Sequence, residues 1–431
     1  MLPDSTHFFK GNTQENLDET FDIVILGGGL AGLSLAVEIC KCNLLSSNFN
    51  LLIVEPRKSY VRDKTWSYWR QKPHAYSFLE THTWQQWRIS YLAESVIHTS
   101  KNCEQYQYCT IPSDAFYHDA LAIIANNPHI KLLLGKTAEL QFKADNGSTN
   151  NAAEINVLLN DGRNITAKHF VFDSRPTINK EPYLKQHFMG VEVAANKPIF
   201  DHKMVELMAF QPSVNGVHFY YVLPYSKTKA LIETTWISAA DSDEIAHKPY
   251  ATEIEAYLKN SYPDTLFSWH FVERGSLPLA NANQNQWLQK NIIPIGANVG
   301  TARAATGYAF LQTITDSSRL AKELKDYLSA YVSNEKKSIS AYKQKIIYRY
   351  MDIIFLALIQ HKAGDNTTID GANIFMQLFS RCAPVRLVRF LSSNATVWDF
   401  ICVMKATPFK PMVVFLASKF CLLIVNIKKY T

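Results

Sequence analysis

The sequence predicts an α/β protein made of a Rossmann-like nucleotide-binding lobe, an antiparallel β-sheet domain and a C-terminal helical region. Three observations lead there. An apolar strand runs through a glycine turn into a helix of small residues near position 30, residues 222–236 carry the pattern of a β-hairpin, and apolar residues recur at helical spacing in 342–360 and 374–390.

The run 23–26 (IVIL) is too short for a helix and rich in β-branched residues, as in a buried parallel strand. Gly27, Gly28, Gly29, Leu30, Ala31 and Gly32 follow it. Gly27 permits the tight turn, Gly29 lets a pyrophosphate approach the backbone, and Gly32 lets helix and strand pack closely. The phosphate then sits on the helix N-terminus. A second apolar strand, 51–54, ends in Glu55, where a carboxylate reaches an adenosine ribose hydroxyl. Strand, glycines, helix, second strand and acid together specify a dinucleotide site.

The kind of dinucleotide is decided farther along. Residues 171–173 read as a strand ending in Asp173, and 292–310 (IIPIGANVGTARAATGYAF) as a strand, a loop and a helix start. Gly296, Gly300 and Gly307 permit close backbone approach, and a helix following Thr306 aims its amides at the same place. Two phosphate-type elements so far apart suit FAD. A bare nicotinamide dehydrogenase of this fold lacks the second.

With 431 residues, 47% hydrophobic and 19% charged, the chain has enough apolar surface for two or three lobes. The expected division is a FAD lobe from 21–175 and 275–330, a β-sheet domain from 176–274 covering the flavin, and a helical region from 331–431. A polar stretch, 146–153 (NGSTNNAA), is a linker candidate inside the first lobe. The first twenty residues lack the features of a secretory leader, which places the protein in the cytoplasm. Seven cysteines without a C-x-x-C pair read as free thiols. Thirteen histidines show no H-x-x-x-H or H-E-x-x-H spacing, so no metal is expected.

The net charge of +6 is uneven: residues 319–431 hold 17 basic and 7 acidic side chains. Their apolar run 412–427 is interrupted by Lys419 and falls short of the roughly 20 residues that span a bilayer. A basic amphipathic tail on an anionic membrane surface is the preferred reading, against a core-packed helical end whose lysines face water. The basic residues alternate with apolar ones, which argues against nucleic acid as a partner.

Residues 222–236 place a turn at 225–229 and a returning strand at 230–236, with Glu233 in mostly apolar surroundings. Local pattern leaves Glu233 either a solvent-facing strand residue or a buried acid with a raised pKa. Aromatic residues number 53 and cluster at Trp66, Tyr68 and Trp69 and again at 219–221. Such clusters serve equally as core filler or as ring faces for a cation.

From Asp22 to about Pro411 the chain resembles the lycopene β-cyclases of bacteria and plants. The resemblance rests on GGGLAGL (27–33), DKTWSYW (63–69), DSRP (173–176), QHFMGVEV (186–193), VLPYSKTKALIETTW (222–236), GSLPL (275–279) and ATGYAF (305–310). It implies the fold of FAD-containing hydroxylases and reductases, FAD in its reduced state with NAD(P)H as reductant, and lycopene or a related linear carotene as substrate. It also implies β-ring closure without net redox change, giving γ-carotene and β-carotene. That chemistry adds a proton at C2 of the terminal alkene, lets the next alkene attack the tertiary cation, and removes a proton at C6. The resemblance selects Glu233 as proton donor, with Trp66, Tyr68, Trp69, Tyr221 and Trp236 as walls for the cation. Two departures stand out: the family's adjacent acids appear here as Glu233-Thr234, and a Met-Asp pair appears as Met208-Ala209. The alternative on the same fold is a flavin monooxygenase or isoprenoid reductase, and a third possibility is a binder that keeps flavin structurally.

Overall fold

In the computed structural model, strand Asp18–Leu26 lies inside a mixed sheet, parallel to Leu51–Glu55 on one side and Asn164–Asp173 on the other. The structure describes residues 18–45, 49–141, 154–176, 184–213, 216–239, 249–279, 291–333, 335, 337–360 and 371–407. Alternation splits the central strand between two cores. Ile23 and Ile25 pack under the helices Leu30–Lys41, Ser113–Ala125 and Phe310–Val332, while Val24 and Leu26 pack with Val157, Ile165 and Val171 on the opposite face. A short strand, Ile292–Pro294, runs parallel to the tip of Asn164–Asp173, so the early and late glycine turns emerge side by side.

The second sheet has the order Phe267–Leu279, Leu184–Ala195, Lys229–Ala239, Val217–Pro224, Met204–Gln211, Gln86–Tyr91 and Glu94–Thr99. Its strands are antiparallel except where Met204–Gln211 meets Gln86–Tyr91. Residues 86–99 thus belong to this sheet, although the sequence reading assigned them to the first lobe. A small sheet of Thr65–Arg70, Gln107–Pro112 and His82–Trp84 completes the strands.

Helices Ile346–Gln360, Gly371–Arg381, Pro384–Leu391 and Val397–Ala406 share one apolar core with the second sheet. The helical stretch expected over 374–390 is two helices. Pro384 opens the second at its first turn, where a missing N–H costs nothing. Arg303, 3% exposed, joins the late loop to this region through Asp352 at 2.6 Å and lies over the rings of Tyr348 and Phe390. Among the described residues no helix is long and apolar enough to cross a membrane. The linker candidate 146–153 and the tail from 408 lie outside the described residues.

Candidate active site

The glycine turn is shaped from within. The Gly28 amide donates to Glu55 Oε2 at 2.6 Å, while Tyr60 Oη donates to the Gly28 carbonyl at 2.8 Å. A Cβ on Gly32 would stand 2.0 Å from the Gly27 carbonyl oxygen, and one on Gly28 would stand 2.4 Å from Tyr60 Oη. Gly29 differs. A Cβ there meets only an Arg57 nitrogen at 3.7 Å, so the space before this residue is open. Gly29 caps the helix that begins at Leu30 and Ala31 without a side-chain hydrogen bond. An open backbone, a helix N-terminus and the nearby Arg57 guanidinium fit a pyrophosphate.

The late element touches the same turn, since a Cβ on Gly296 (φ +71°) would lie 2.8 Å from the Ala31 Cβ. Two expectations change here. The helix starts at Phe310, not directly after Thr306, because the amides of Thr306 and Gly307 both turn back to the Arg303 carbonyl. The Asp173 carboxylate is closed by Arg175 at 2.9 and 2.7 Å, and Asp173 contributes through its carbonyl, which accepts from the Ile295 amide at 2.9 Å. Its role is to hold the strand tips together.

The second sheet presents the acid. On strand Lys229–Ala239, Leu231, Glu233 and Ile237 face one side, whereas Ile232, Thr234 and Trp236 face the other. Directly across from Glu233 stand Tyr221 on one neighbouring strand and Gly190 on the other, and across from Gly190 stands Glu273. Burial pushes the Glu233 carboxyl from 4.5 to about 7, against a 2.5 Å hydrogen bond from Thr235 that lowers it. Such an acid holds its proton near neutrality. Glu273, 4% exposed, is pushed up to about 8 by burial and by repulsion from Glu233.

A wall of rings adjoins the acid. Tyr108 and Tyr221 hydroxyls are 2.8 Å apart, those of Tyr108 and Tyr308 3.4 Å, and the Trp69 ring lies 4.8 Å from Tyr108 and 5.3 Å from Tyr308. Burial lifts all three phenols well above their ordinary range and keeps them neutral. Gly307, at φ +70°, docks the Tyr308 loop on strand Phe267–Leu279, where a Cβ would meet Leu277 at 2.8 Å.

The structure therefore unites Glu233, Tyr221 and Trp69 but separates the other expected wall residues. Trp66 and Tyr68 point off the opposite face of Thr65–Arg70 into the nucleotide lobe, where both lie against Phe310 and Tyr68 donates to Glu80 at 3.0 Å. Trp236 lies behind the sheet, stacked 4.1 Å from His218, with its Nε1 donating to Glu253 at 3.1 Å. Thr234 shares that rear face and donates to Glu253 Oε2 at 2.8 Å. A groove of about 360 Å³ lined by Leu258, Tyr262, Phe267 and Trp269 is also behind the sheet. Sequence reading missed Tyr108, Tyr308 and Glu273. Tyr308 had a signal, inside ATGYAF directly after a glycine, whereas Tyr108 and Glu273 had only strand alternation.

A family model described as lycopene cyclase protein matches residues 22–417. Among solved structures the chain is similar to a geranylgeranyl bacteriochlorophyll reductase-like protein from Thermoplasma acidophilum, with a TM-score of 0.60, 11% identity, and 93% of this chain and 99% of that one covered. It is also similar to p-nitrophenol 4-monooxygenase from Pseudomonas putida, with a TM-score of 0.57, 12% identity, and 88% and 99% covered. A third is aklavinone-11 hydroxylase, solved with FAD and aklavinone, with a TM-score of 0.52, 13% identity, and 79% and 67% covered. These likenesses establish the fold, an α/β architecture of the FAD-dependent hydroxylase and reductase type. No curated protein matches the chain.

Proposed function

The chain belongs to the lycopene cyclase family, and on that premise we propose that it closes β-rings on the ends of lycopene or a related linear carotene without net redox change. One observation carries the reading: an acid whose burial keeps it protonated near neutrality, Glu233, faces a wall of neutral aromatic rings. Glu233 donates its proton to C2 of the terminal alkene. Trp69, Tyr108, Tyr221 and Tyr308 give the tertiary cation ring faces and phenol oxygens in place of water, each ring contributing about 0.5 to 2 kcal/mol. Loss of the C6 proton completes the ring and restores the proton count.

FAD fits the two glycine elements: Gly29, Leu30, Ala31 and Arg57 border the open helix N-terminus and Gly296 abuts it, while Gly28 and Glu55 bond to each other and shape the turn. When bound in its reduced form, with NAD(P)H as reductant, FAD would supply an electron-rich ring able to stabilise positive charge. We also propose a peripheral seat on the cytoplasmic face of a membrane. The basic C-terminal region supports it, as does a stripe of exposed Ile346 (68%), Tyr350 (49%) and Ile353 (38%) on one helix.

The redox alternative is favoured by the fold likeness to a monooxygenase and a reductase-like protein. The mass of the product from lycopene separates the two. Cyclisation leaves the mass unchanged, and a product gaining oxygen or hydrogen sinks the cyclase reading.

A further inference from the structure

The row Glu233, Gly190, Glu273 runs straight across three neighbouring strands on the face that carries the ring wall. Residues two strands apart are about 10 Å apart at the backbone, too far for most side chains to meet over an intervening one. Here the intervening residue has no side chain, and the space above it is shared by the Glu273 side chain and by Leu231 Cδ1, which stands 3.3 Å from where a Cβ would be. A Cβ built on Gly190 would stand 3.0 Å from Glu273 Cγ and 3.1 Å from its Oε1, so the Glu273 side chain lies over the glycine, toward Glu233. Glu273 Oε2 is buried and has no hydrogen-bond partner among the described residues. The charged and titratable groups around the pair are Arg62, Asp63, Glu192, Tyr221 and Tyr225. Arg62 is turned aside, donating to Glu192 at 2.9 Å and lying 3.9 Å over the Phe271 ring.

We propose that Glu273 is a positioning residue that shares protons with Glu233 across the Gly190 gap, forming a carboxyl pair that titrates as a unit. Two buried acids that repel cannot both ionise readily, so the pair keeps one proton over a wider pH range than either acid alone. For the reaction, and resting on Glu233 as the proton donor, the balance is simple. The Glu233 O–H bond breaks as a C–H bond forms at C2; later a C–H bond at C6 breaks and an O–H bond on the pair re-forms. Glu273 keeps a proton available to Glu233 in between, and nothing is oxidised or reduced.

The test uses the full-length, flavin-loaded protein and two readouts. Infrared titration of the protonated carboxyl stretch should show two carboxyls losing their protons in separate steps, both above the ordinary carboxylate range, and Glu273→Gln should leave a single step. In the rate profile for ring closure, Glu273→Gln should move the alkaline limb to lower pH, because no second carboxyl is left to return a proton to Glu233. Gly190→Ala, which puts a methyl where the Glu273 side chain lies, should give the same shift. An alkaline limb that stays in place in both variants overturns the proposal. So does a Glu273 step that is unmoved by Glu233→Gln. A chain with coupled infrared steps but no cyclised product would refute the cyclase reading and leave the carboxyl pair standing.

Discussion

Glu233 combines surroundings that disfavour its charge with a Thr235 hydroxyl that donates to it, and this sets both its chemistry and its cost. Glu233→Gln should keep packing and flavin but reduce β-carotene formation by at least the 10²- to 10⁴-fold typical of a general acid. Retention of more than about a tenth of the activity argues against Glu233 as donor. The same variant has a stability signature. A carboxyl whose folded pKa is raised from 4.5 to about 7 binds more protons in the folded state between those values, so stability falls as pH rises through that window. Glu233→Gln should therefore melt with a shallower decline between pH 5 and 8 than the parent; an identical decline would contradict the assignment. Glu233 was legible from its motif. Glu273 was not, because it lies 40 positions away and only the register through Gly190 brings the two acids into one row. Trp66 and Tyr68 were adjacent to Trp69 in the sequence, yet a two-residue period turns them to the other side. The same period shows why Thr234 takes nothing from the site: the second family acid falls on the rear face, where Glu253 stands.

At the scale of elements, the glycine turn makes a sharper forecast from structure than from sequence. Gly29→Val should fold, since a side chain there meets little protein, yet it should lose FAD because the side chain fills the space open to the pyrophosphate. Circular dichroism matching the parent, with no flavin absorbance, is the expected pair of results. A yellow variant with full flavin occupancy rejects the site. The C-terminal helix Val397–Ala406 begins with a capping box in which Thr396 and Asp399 each accept from the other's amide, at 3.4 and 2.8 Å. Thr396→Ala should cost about 1 kcal/mol in denaturant unfolding; no measurable change would mean that the Arg389–Asp399 pair alone fixes this end. Hairpin, strands and first helix were readable because their signals are local. The pairing of Gln86–Tyr91 with Met204–Gln211 was not, since parallel pairing over a hundred residues leaves no mark in either segment.

The whole molecule is asymmetric in charge, with its basic excess in residues 319–431, and among the described residues the exposed large apolar side chains are densest from Tyr331 to Trp398. Deleting 409–431 should shift the protein from the membrane pellet to the supernatant while flavin binding stays largely intact, because the described residues that shape the glycine turns, from Gly27 to Arg57 and around Gly296, lie elsewhere in the chain. Equal pelleting of the truncated protein removes the tail from the account and leaves the Ile346–Ile353 stripe as the remaining candidate. A buried ion pair, Arg303–Asp352, helps tie the late loop to the helical region, and breaking one partner of such a pair strands the other charge. The two-sided strand Lys229–Ala239 has a wider consequence for how this protein can err. Its front and rear faces are each packed and hydrogen-bonded, so a slip of one residue at the turn 225–228 would turn Glu233 to the rear and exchange the front set, Leu231 and Ile237, with the rear set, Ile232, Thr234 and Trp236. The length of that turn therefore decides on which side of the sheet the acid stands, and an insertion or deletion there should silence the protein more surely than one in a loop between helices.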